Sequence, residues 1–220
     1  AGQQEFEPVV IIIDLVIGPL KILTSLPGLD ITIARVAQCL GTQGGFHRLA
    51  TVGCRKFVIA VHGAIKLFSD GVIDTGTAWL HEVDSLGDGR EAFWPSWQRF
   101  AEVVRAYHDA GMLIATHAVG DYAVSRVLEV YASLPEREGL PFHSIEHLEV
   151  LSDSDVAQLV GSGITASMQP LHMQWRAEDG SDNWAVRLGE QRAETGYRVR
   201  DVIEAGVRVV LGSDWPVAQY

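Results

Sequence analysis

The sequence predicts an α/β fold built on a parallel sheet or a (β/α)8 barrel. Two observations support this prediction. From about residue 57, short runs rich in valine and isoleucine alternate with longer stretches of helical spacing that end at glycine. The runs are almost continuously apolar, as expected for parallel strands that are covered on both faces. With 220 residues, 47% of them hydrophobic, the chain can form the core of one large domain or of two small ones.

Strands and helices are predicted in alternation. The apolar runs predict at least five strands, over residues 57–68, 112–118, 141–146, 164–169 and 207–211. Between the first two, apolar residues recur at helical spacing over residues 97–107, behind Pro95, and Gly111 ends this helix. Residues 123–131 repeat the pattern, with Asp121 as a possible N-cap.

Two further helices complete the pattern. Ser152 and Asp155 resemble a capping box that opens a helix ending near residue 160. Residues 197–203 give the last helix, which Gly206 ends. Because helices separate successive strands, the strands are expected to run parallel and to be joined by right-handed crossovers.

Two polar, glycine-containing insertions interrupt this alternation, over residues 71–94 and 170–194. Each follows the carboxyl end of a predicted strand. In a barrel, loops at these ends lie over the active face. We therefore expect both insertions to shape a binding site.

The N-terminal segment is less regular than the rest of the chain. Residues 9–13 and 16–22 have the composition of strands, and residues 31–40 that of a short helix before a glycine-rich turn. We therefore divide the chain into residues 1–56, which could supply early barrel strands, and residues 57–220, the barrel portion with the candidate site.

Composition excludes several classes of protein. Lysine and arginine total 17 against 28 aspartate and glutamate, so the net charge is −11 and nucleic acid is not an expected partner. Cys39 and Cys54 are too few for a disulfide scaffold or a thiolate zinc cluster. The most apolar stretch contains Asp14 and Lys21, so it is not a membrane helix, and no basic leader precedes it. The prediction is a soluble, cytoplasmic protein that acts on a small molecule.

Polar side chains stand at the ends of four predicted strands. They are Lys66, His117, His147 and Asp214. Ionisable groups are rare in buried strands unless they are paired or bind a metal. Because parallel strands present their carboxyl ends to one face, these four side chains are expected to meet. Two imidazoles and a carboxylate suit Zn²⁺ or a similar divalent ion.

Each of these residues also has a simpler explanation. Lys66 could bury its stem and extend its charge to solvent, or form a Schiff base as in aldolases. His117 could be a core histidine that donates to a carbonyl group, and the role of Asp214 could be limited to forming a turn.

Next to a metal, the Lys66 side chain must either lie away from the ion or be carboxylated to a carbamate. Strand alternation points Glu146 away from His147, into the layer between strand and helix.

Five motifs resemble a known family. They are residues 66–71 (KLFSDG), 116–123 (THAVGDYA), 145–147 (IEH), 167–172 (SMQPLH) and 211–217 (LGSDWPV). In this order they resemble family 3 of the amidohydrolase superfamily, the YtcJ-like metal-dependent hydrolases. The resemblance runs from about residue 64 to residue 217.

This resemblance implies a distorted (β/α)8 TIM barrel with one or two divalent ions, zinc first, with iron or manganese as alternatives. A metal-bound hydroxide would cleave C–N bonds of amide, carbamate or cyclic-amide type. Lys66 would be the carboxylated lysine that bridges the ions, and His117 and His147 would bind the second ion. Asp214 would bind the first ion and act as general base.

The resemblance also implies substrate contacts. His172 lies in the loop after Gln169 and Pro170, Gln169 stands in the same motif, and Asp70 stands in the first motif. We therefore expect His172, Asp70 and Gln169 to contact the substrate. Asp70 could instead be a solvated loop carboxylate.

The sequence also departs from the family. Relatives carry a His-x-His pair on the first barrel strand, and the eight histidines here contain no such pair. Relatives also continue through a last helix and a small β domain, so the chain resembles a partial, incomplete barrel. The alternative prediction is a non-catalytic remnant without a complete metal centre. Missing strands would expose sheet edges, so a homo-oligomer is also possible.

Overall fold

The computed structural model describes residues 9–12, 57–61, 64–136, 143–214 and 217–218. The predicted strand over residues 16–22 and the predicted helix over residues 31–40 lie outside these ranges. In the described ranges, seven strands form one sheet in chain order: β1 (Val9–Ile12), β2 (Phe57–Val61), β3 (Ala64–Phe68), β4 (Leu113–Ala118), β5 (Ser144–His147), β6 (Thr165–Met168) and β7 (Arg208–Leu211).

Helices connect the later strands. The α-helices of the described ranges are α1 (Trp97–Asp109), α2 (Asp121–Ala132), α3 (Asp153–Leu159), α4 (Asn183–Leu188), α5 (Glu190–Glu194) and α6 (Val199–Glu204), and 3₁₀ helices span Ile73–Thr75 and Pro170–Trp175. None of the helices in these ranges combines the length and apolar character needed to cross a bilayer.

Strands β3 to β7 pair in parallel, each with the next along the chain. This confirms the predicted α/β class and parallel sheet. In the described residues the sheet is open, with β1 and β7 at its two edges. β1 lies in the N-terminal segment and pairs in parallel with β2, so this segment contributes a strand to the sheet.

The single strand predicted over residues 57–68 is wrong. The structure has two strands there, and β2 runs antiparallel to β3, with Ile59 opposite Lys66. Only residues 62–63 separate the two strands, which is the length of the commonest hairpin connections. A continuous apolar run does not reveal such a reversal, because both strands of the hairpin are apolar.

The predicted helix boundaries hold to within one or two residues where capping side chains are present. Ser96 caps α1 by accepting a hydrogen bond from the Arg99 amide, and Ser152 and Asp155 form the predicted capping box of α3. Asp121 is not the N-cap of α2, because Gly120 occupies that position and Asp121 is the first helical residue. The Asp121 carboxylate instead accepts a hydrogen bond of 2.9 Å from the His81 amide.

The main core lies between the sheet and helices α1 to α3. Alternate residues of the strands face these helices, and Ile65, Ile114 and Ile145 are almost completely buried in one cluster with Phe100 and Val104 of α1. The opposite face carries polar residues. Register places Phe68, His117, Glu146 and Ser167 side by side across β3 to β6.

Glu146 therefore lies on the same face of the sheet as His117, and the predicted location between strand and helix is wrong. The prediction assumed that His147 continues the strand alternation. His147 has a φ of 77°, which ends the extended conformation and turns its side chain out of the alternating pattern.

Substitution of Gly120 tests how closely the loop after β4 packs against the backbone of Trp79. A Cβ atom on Gly120 would lie 2.2 Å from the Trp79 carbonyl oxygen, whereas one on Gly212 would meet nothing within 4 Å. We expect Gly120→Ala to lower the free energy of unfolding by about 1–3 kcal/mol because backbone must move. Gly212→Ala should change it by less than about 0.5 kcal/mol. Urea denaturation measures both; equal effects would contradict the close approach.

Candidate metal centre

His117 lies at the carboxyl end of β4 and is held in one orientation. Its Nε2 atom is 2.8 Å from the Gly71 carbonyl oxygen. A carbonyl oxygen can only accept, so Nε2 carries the proton and Nδ1 keeps the lone pair that a metal ion requires. Burial and the nearby Lys66 charge lower the pKa of His117 to about 4, although the Gly71 contact opposes them. The ring is therefore neutral at pH 7.

His147 ends β5 next to His117. The centroids of the two rings are 4.4 Å apart. Burial, followed by the charges of His117 and Lys66, lowers the pKa of His147 well below its ordinary value. Its Nδ1 atom is buried and has no hydrogen-bond partner among the described residues. Such an atom is available to an ion.

The backbone after β5 is strained at this site. His147 and Leu148 have φ values of 77° and 53°, which lie in the left-handed region that non-glycine residues rarely adopt. Each costs of order 1–3 kcal/mol unless the surroundings enforce it. The Leu148 and Val150 amides donate to the carbonyl oxygens of Ala118 and Val119, at 3.1 and 3.2 Å, and these bonds hold the turn. Strain of this kind is concentrated at functional sites.

Lys66 extends from the same face of the sheet, and its Nζ lies 5.5 Å from the Phe68 ring centroid. Burial lowers the pKa of Lys66, while the charges of Glu146 and Asp214 oppose that shift. Lys66 thus lies within electrostatic range of Asp214, and both His117 and His147 are sensitive to its charge. A simple solvent-exposed lysine does not fit this environment.

Asp214 follows β7 with a φ of 56° and is exposed. Its carbonyl oxygen accepts a 2.8 Å hydrogen bond from the Val217 amide, so it does form a turn. Its charge also acts on Lys66 and His172. His117 and His147 are therefore in contact at the carboxyl ends of β4 and β5, Lys66 acts electrostatically on both, and Asp214 follows the carboxyl end of β7.

The predicted substrate contacts have different surroundings. Asp70 is completely buried, and its carboxylate accepts hydrogen bonds from the amides of Trp79, Val119 and Gly120 at 2.9, 3.1 and 2.9 Å. Burial raises the pKa of Asp70 to about 7 against the effect of these bonds. Asp70 holds the loops after β3 and β4 together, and its burial gives no support to a substrate contact. Gln169 is buried, and its Oε1 has no hydrogen-bond partner in the described ranges.

Sequence reasoning missed Glu149. Its Oε1 lies 3.6 Å from Nδ1 of His172, and its Oε2 accepts a 2.9 Å hydrogen bond from Nε1 of Trp184. The Glu149 interaction raises the pKa of His172, while burial opposes it. The spacing His147-x-Glu149 was visible in the sequence. Its meaning was hidden because the direction of Glu149 depends on the left-handed turn.

His172 lies on the 3₁₀ helix Pro170–Trp175, close to the predicted ligands. Its ring centroid is 5.8 Å from that of His147. Trp175, on the same 3₁₀ helix, is exposed with its ring centroid 5.1 Å from that of His172. The other tryptophan of the second insertion, Trp184, is buried and serves in packing, whereas Trp175 is accessible beside the site.

The two insertions contact each other. Arg187 forms ion pairs with Asp84 and Asp88, and Arg192 donates to the carbonyl oxygens of Glu82 and Val83 at 2.7 and 3.1 Å. These contacts join residues that are about a hundred positions apart in the chain. Residues 71–94 and 170–194 thus form a single cap at the carboxyl ends of the strands.

The amidohydrolase family model matches residues 47–220. The chain is 30% identical over 162 residues to Protein LONG AFTER FAR-RED 3 of Arabidopsis thaliana. This match covers 71% of the present chain and 27% of the Arabidopsis protein. It is 29% identical over 159 residues to "Putative amidohydrolase YtcJ" of Bacillus subtilis strain 168, covering 70% and 28%.

Solved structures give similar matches. Crystal structures of uncharacterized metal-dependent hydrolases from Pyrococcus horikoshii OT3 and Pyrococcus furiosus each show 25% identity and a TM-score of 0.57, over 70% of this chain. The match covers 30% and 31% of those chains. The chain therefore spans less than a third of the length of the relatives that it matches.

The lowered pKa of His117 predicts how stability depends on pH in the metal-free chain. In the unfolded chain His117 takes up a proton below its ordinary pKa of 6.5, whereas in the folded chain it stays neutral down to about pH 4. Stability from His117 is therefore complete above pH 6.5 and falls toward pH 4 by up to about 1.4 kcal/mol per pH unit. NMR titration of the imidazole should give a midpoint near 4.

The raised pKa of Asp70 makes its contribution to stability change with pH in the opposite direction. The contribution of His117 is therefore isolated by comparing the native chain with His117→Asn. The variant should lose the part of the slope that comes from His117, measured by urea denaturation between pH 7 and pH 5. An imidazole midpoint at or above 6.5 would contradict the burial argument.

Proposed function

Because this chain belongs to the amidohydrolase family, we propose that it forms part of a metal-dependent hydrolase that cleaves C–N bonds of amide, carbamate or cyclic-amide type. The observation that carries the proposal is the contact between His117 and His147. Two neutral imidazoles lie with centroids 4.4 Å apart at the carboxyl ends of parallel strands, beside Lys66. This is the position at which α/β barrels place their catalytic groups.

The residues present fit a divalent ion. The hydrogen bond to Gly71 leaves Nδ1 of His117 as an acceptor, and Nδ1 of His147 is buried without a partner in the described ranges. Neutral imidazole nitrogen is a good ligand for zinc and related ions. An ion held there would supply Lewis acidity, lowering the pKa of water toward neutrality and polarising a substrate carbonyl. Lys66, His117, His147 and Asp214 are the proposed ligands.

Burial supports the proposed carboxylation of Lys66. Burial lowers the pKa of its amine, and the neutral amine is the form that reacts with CO₂. The amine nitrogen bonds to the carbon of CO₂ and releases a proton, which leaves a carbamate anion. The product exchanges a cation for an oxygen ligand, so it removes the repulsion between Lys66 and an ion.

Asp214 is the proposed general base. Its exposed carboxylate lies at the rim, within electrostatic range of Lys66 and His172. It accepts a proton from the attacking water as the water oxygen bonds to the carbonyl carbon. It then delivers that proton to the departing nitrogen as the C–N bond breaks.

A non-catalytic scaffold is the second candidate. The observation that favours it is the absence of a His-x-His pair from these 220 residues. In that case His117 and His147 would be retained by packing, and the cap would cover a site without hydrolytic chemistry. Metal content and hydrolysis distinguish the two candidates.

Metal removal and one substitution test the proposed reaction. A chelator should abolish hydrolysis of a panel of anilides, carbamates and cyclic amides, and added Zn²⁺ or Mn²⁺ should restore it. Asp214→Asn should lower kcat by about 10²–10⁴-fold because the general base is lost. Asp109→Asn, an exposed change on α1, is the matched control. A chain that binds no ion and hydrolyses none of these compounds would favour the scaffold.

Carboxylation of Lys66 can be tested directly. Isotopically labelled bicarbonate should give a carbamate NMR signal in the native protein and none in Lys66→Arg, since arginine does not form a stable carbamate. In Lys66→Ala, acetate or propionate should partly restore metal binding by supplying the missing carboxylate. A native protein without the carbamate signal, in the presence of metal and bicarbonate, would contradict this role.

A further inference from the structure

We propose that His147, Glu149 and His172 form a divalent-cation site in which Glu149 and His172 supply ligands outside the set predicted from sequence. One potential ligand atom from each residue lies within 4.8 Å of the others, and all three side chains are buried. The inference deepens the proposed function and rests on its premise that the protein binds a divalent ion.

The chemistry of the three residues fits a cation. Two imidazoles and one carboxylate leave an open position on a four-coordinate ion, which is a ligand set of catalytic zinc sites. A tetrahedral ion would hold its ligand atoms roughly 3.4 Å apart. Each pair of ligand atoms therefore needs to close by at most about 1.4 Å. His172 lies on a short 3₁₀ helix whose Trp175 end is exposed.

Unsatisfied polar atoms point to the same conclusion. Nδ1 of His147 and Nε2 of His172 are both buried without a hydrogen-bond partner among the described residues. A buried polar atom without a partner costs about 1–3 kcal/mol. Their rings lie 5.8 Å apart, with an angle of 27° between their planes. A single ion that each ring reaches through its available nitrogen would remove both deficits.

Glu149 is oriented before any ion binds. Nε1 of Trp184 donates to one carboxylate oxygen at 2.9 Å, and the other oxygen faces His172 at 3.6 Å. Trp184 is itself fixed, since the Arg176 guanidinium lies 3.9 Å from its ring centroid and Tyr197 stacks on it. Residues of this kind behind a ligand typically affect metal affinity by about 10–100-fold.

His147 is the only residue that this set shares with Lys66, His117, His147 and Asp214. Substitutions of the other residues therefore separate the two sets. Glu149→Gln keeps an oxygen that accepts from Trp184, removes the charge and replaces the other carboxylate oxygen by an NH₂ group. His172→Asn removes the imidazole from the 3₁₀ helix. Matched controls are Glu178→Gln and His81→Asn, which make the same chemical changes at exposed residues of the two insertions.

The experiment measures Zn²⁺ affinity by calorimetry and the visible spectrum of the Co²⁺-loaded full-length protein. We expect Glu149→Gln and His172→Asn each to raise the dissociation constant by at least the roughly 10–100-fold typical of residues behind a ligand, and to alter the Co²⁺ spectrum. The two controls should match the native protein. Near-ultraviolet circular dichroism monitors folding of each variant.

Two results of these binding measurements would overturn the inference. The first is unchanged affinity in both variants when Lys66→Ala and Asp214→Asn lose the ion, which would leave the proposed function standing. The second is a native protein that binds neither Zn²⁺ nor Co²⁺. Conversely, loss of affinity in Glu149→Gln and His172→Asn, in a protein that hydrolyses no amide, would support this site and contradict the proposed function.

A crystal structure of the Zn²⁺-soaked native protein provides a test that does not depend on the variants. Anomalous scattering should locate the ion within bonding distance of Glu149 and His172. An ion bound by Lys66, His117 and Asp214 alone would overturn the inference even if the variants fail to fold.

Discussion

The site depends on the parallel register of β3 to β6. This pairing sets Phe68, His117, Glu146 and Ser167 side by side on one face of the sheet. The opposite face packs isoleucines against the helices. Because the strands run in the same direction, their carboxyl ends lie at one rim, and polar groups that are far apart in sequence meet there. A slip of one residue in any strand would exchange its polar and apolar faces.

Buried polar groups then fix the geometry of that rim. Asp70 is completely buried, yet three backbone amides satisfy its carboxylate, so it joins the loops after β3 and β4. The Gly71 carbonyl in the same loop sets the tautomer of His117. The strained turn at His147 and Leu148 directs His147 toward His117 and Glu149 toward His172. These groups orient the imidazoles before a ligand is present, which lowers the cost of binding an ion.

The cap acts on the site from the other side. Ion pairs of Arg187 with Asp84 and Asp88 join the two insertions, and the 3₁₀ helix of the second insertion carries His172 into reach of His147. Trp184 anchors this insertion to Glu149, while Trp175 stays exposed beside His172. The same segments therefore bury His172 and Glu149 and leave Trp175 exposed at one side of the site.

Local patterns in the sequence determined the α/β class, the existence of helices α1, α2, α3 and α6, the capping box of α3, and the candidates Lys66, His117, His147 and Asp214, because these depend on periodicity and on residue types at helix starts and strand ends. Only the tertiary structure decided the hairpin of β2 and β3, the face on which Glu146 lies, the burial of Asp70 and the partnership of Glu149 with His172. Each of these depends on a backbone reversal, a left-handed turn or a contact between distant segments. Hydrophobic periodicity records which residues are buried, but it does not record where the chain changes direction or which segments then meet.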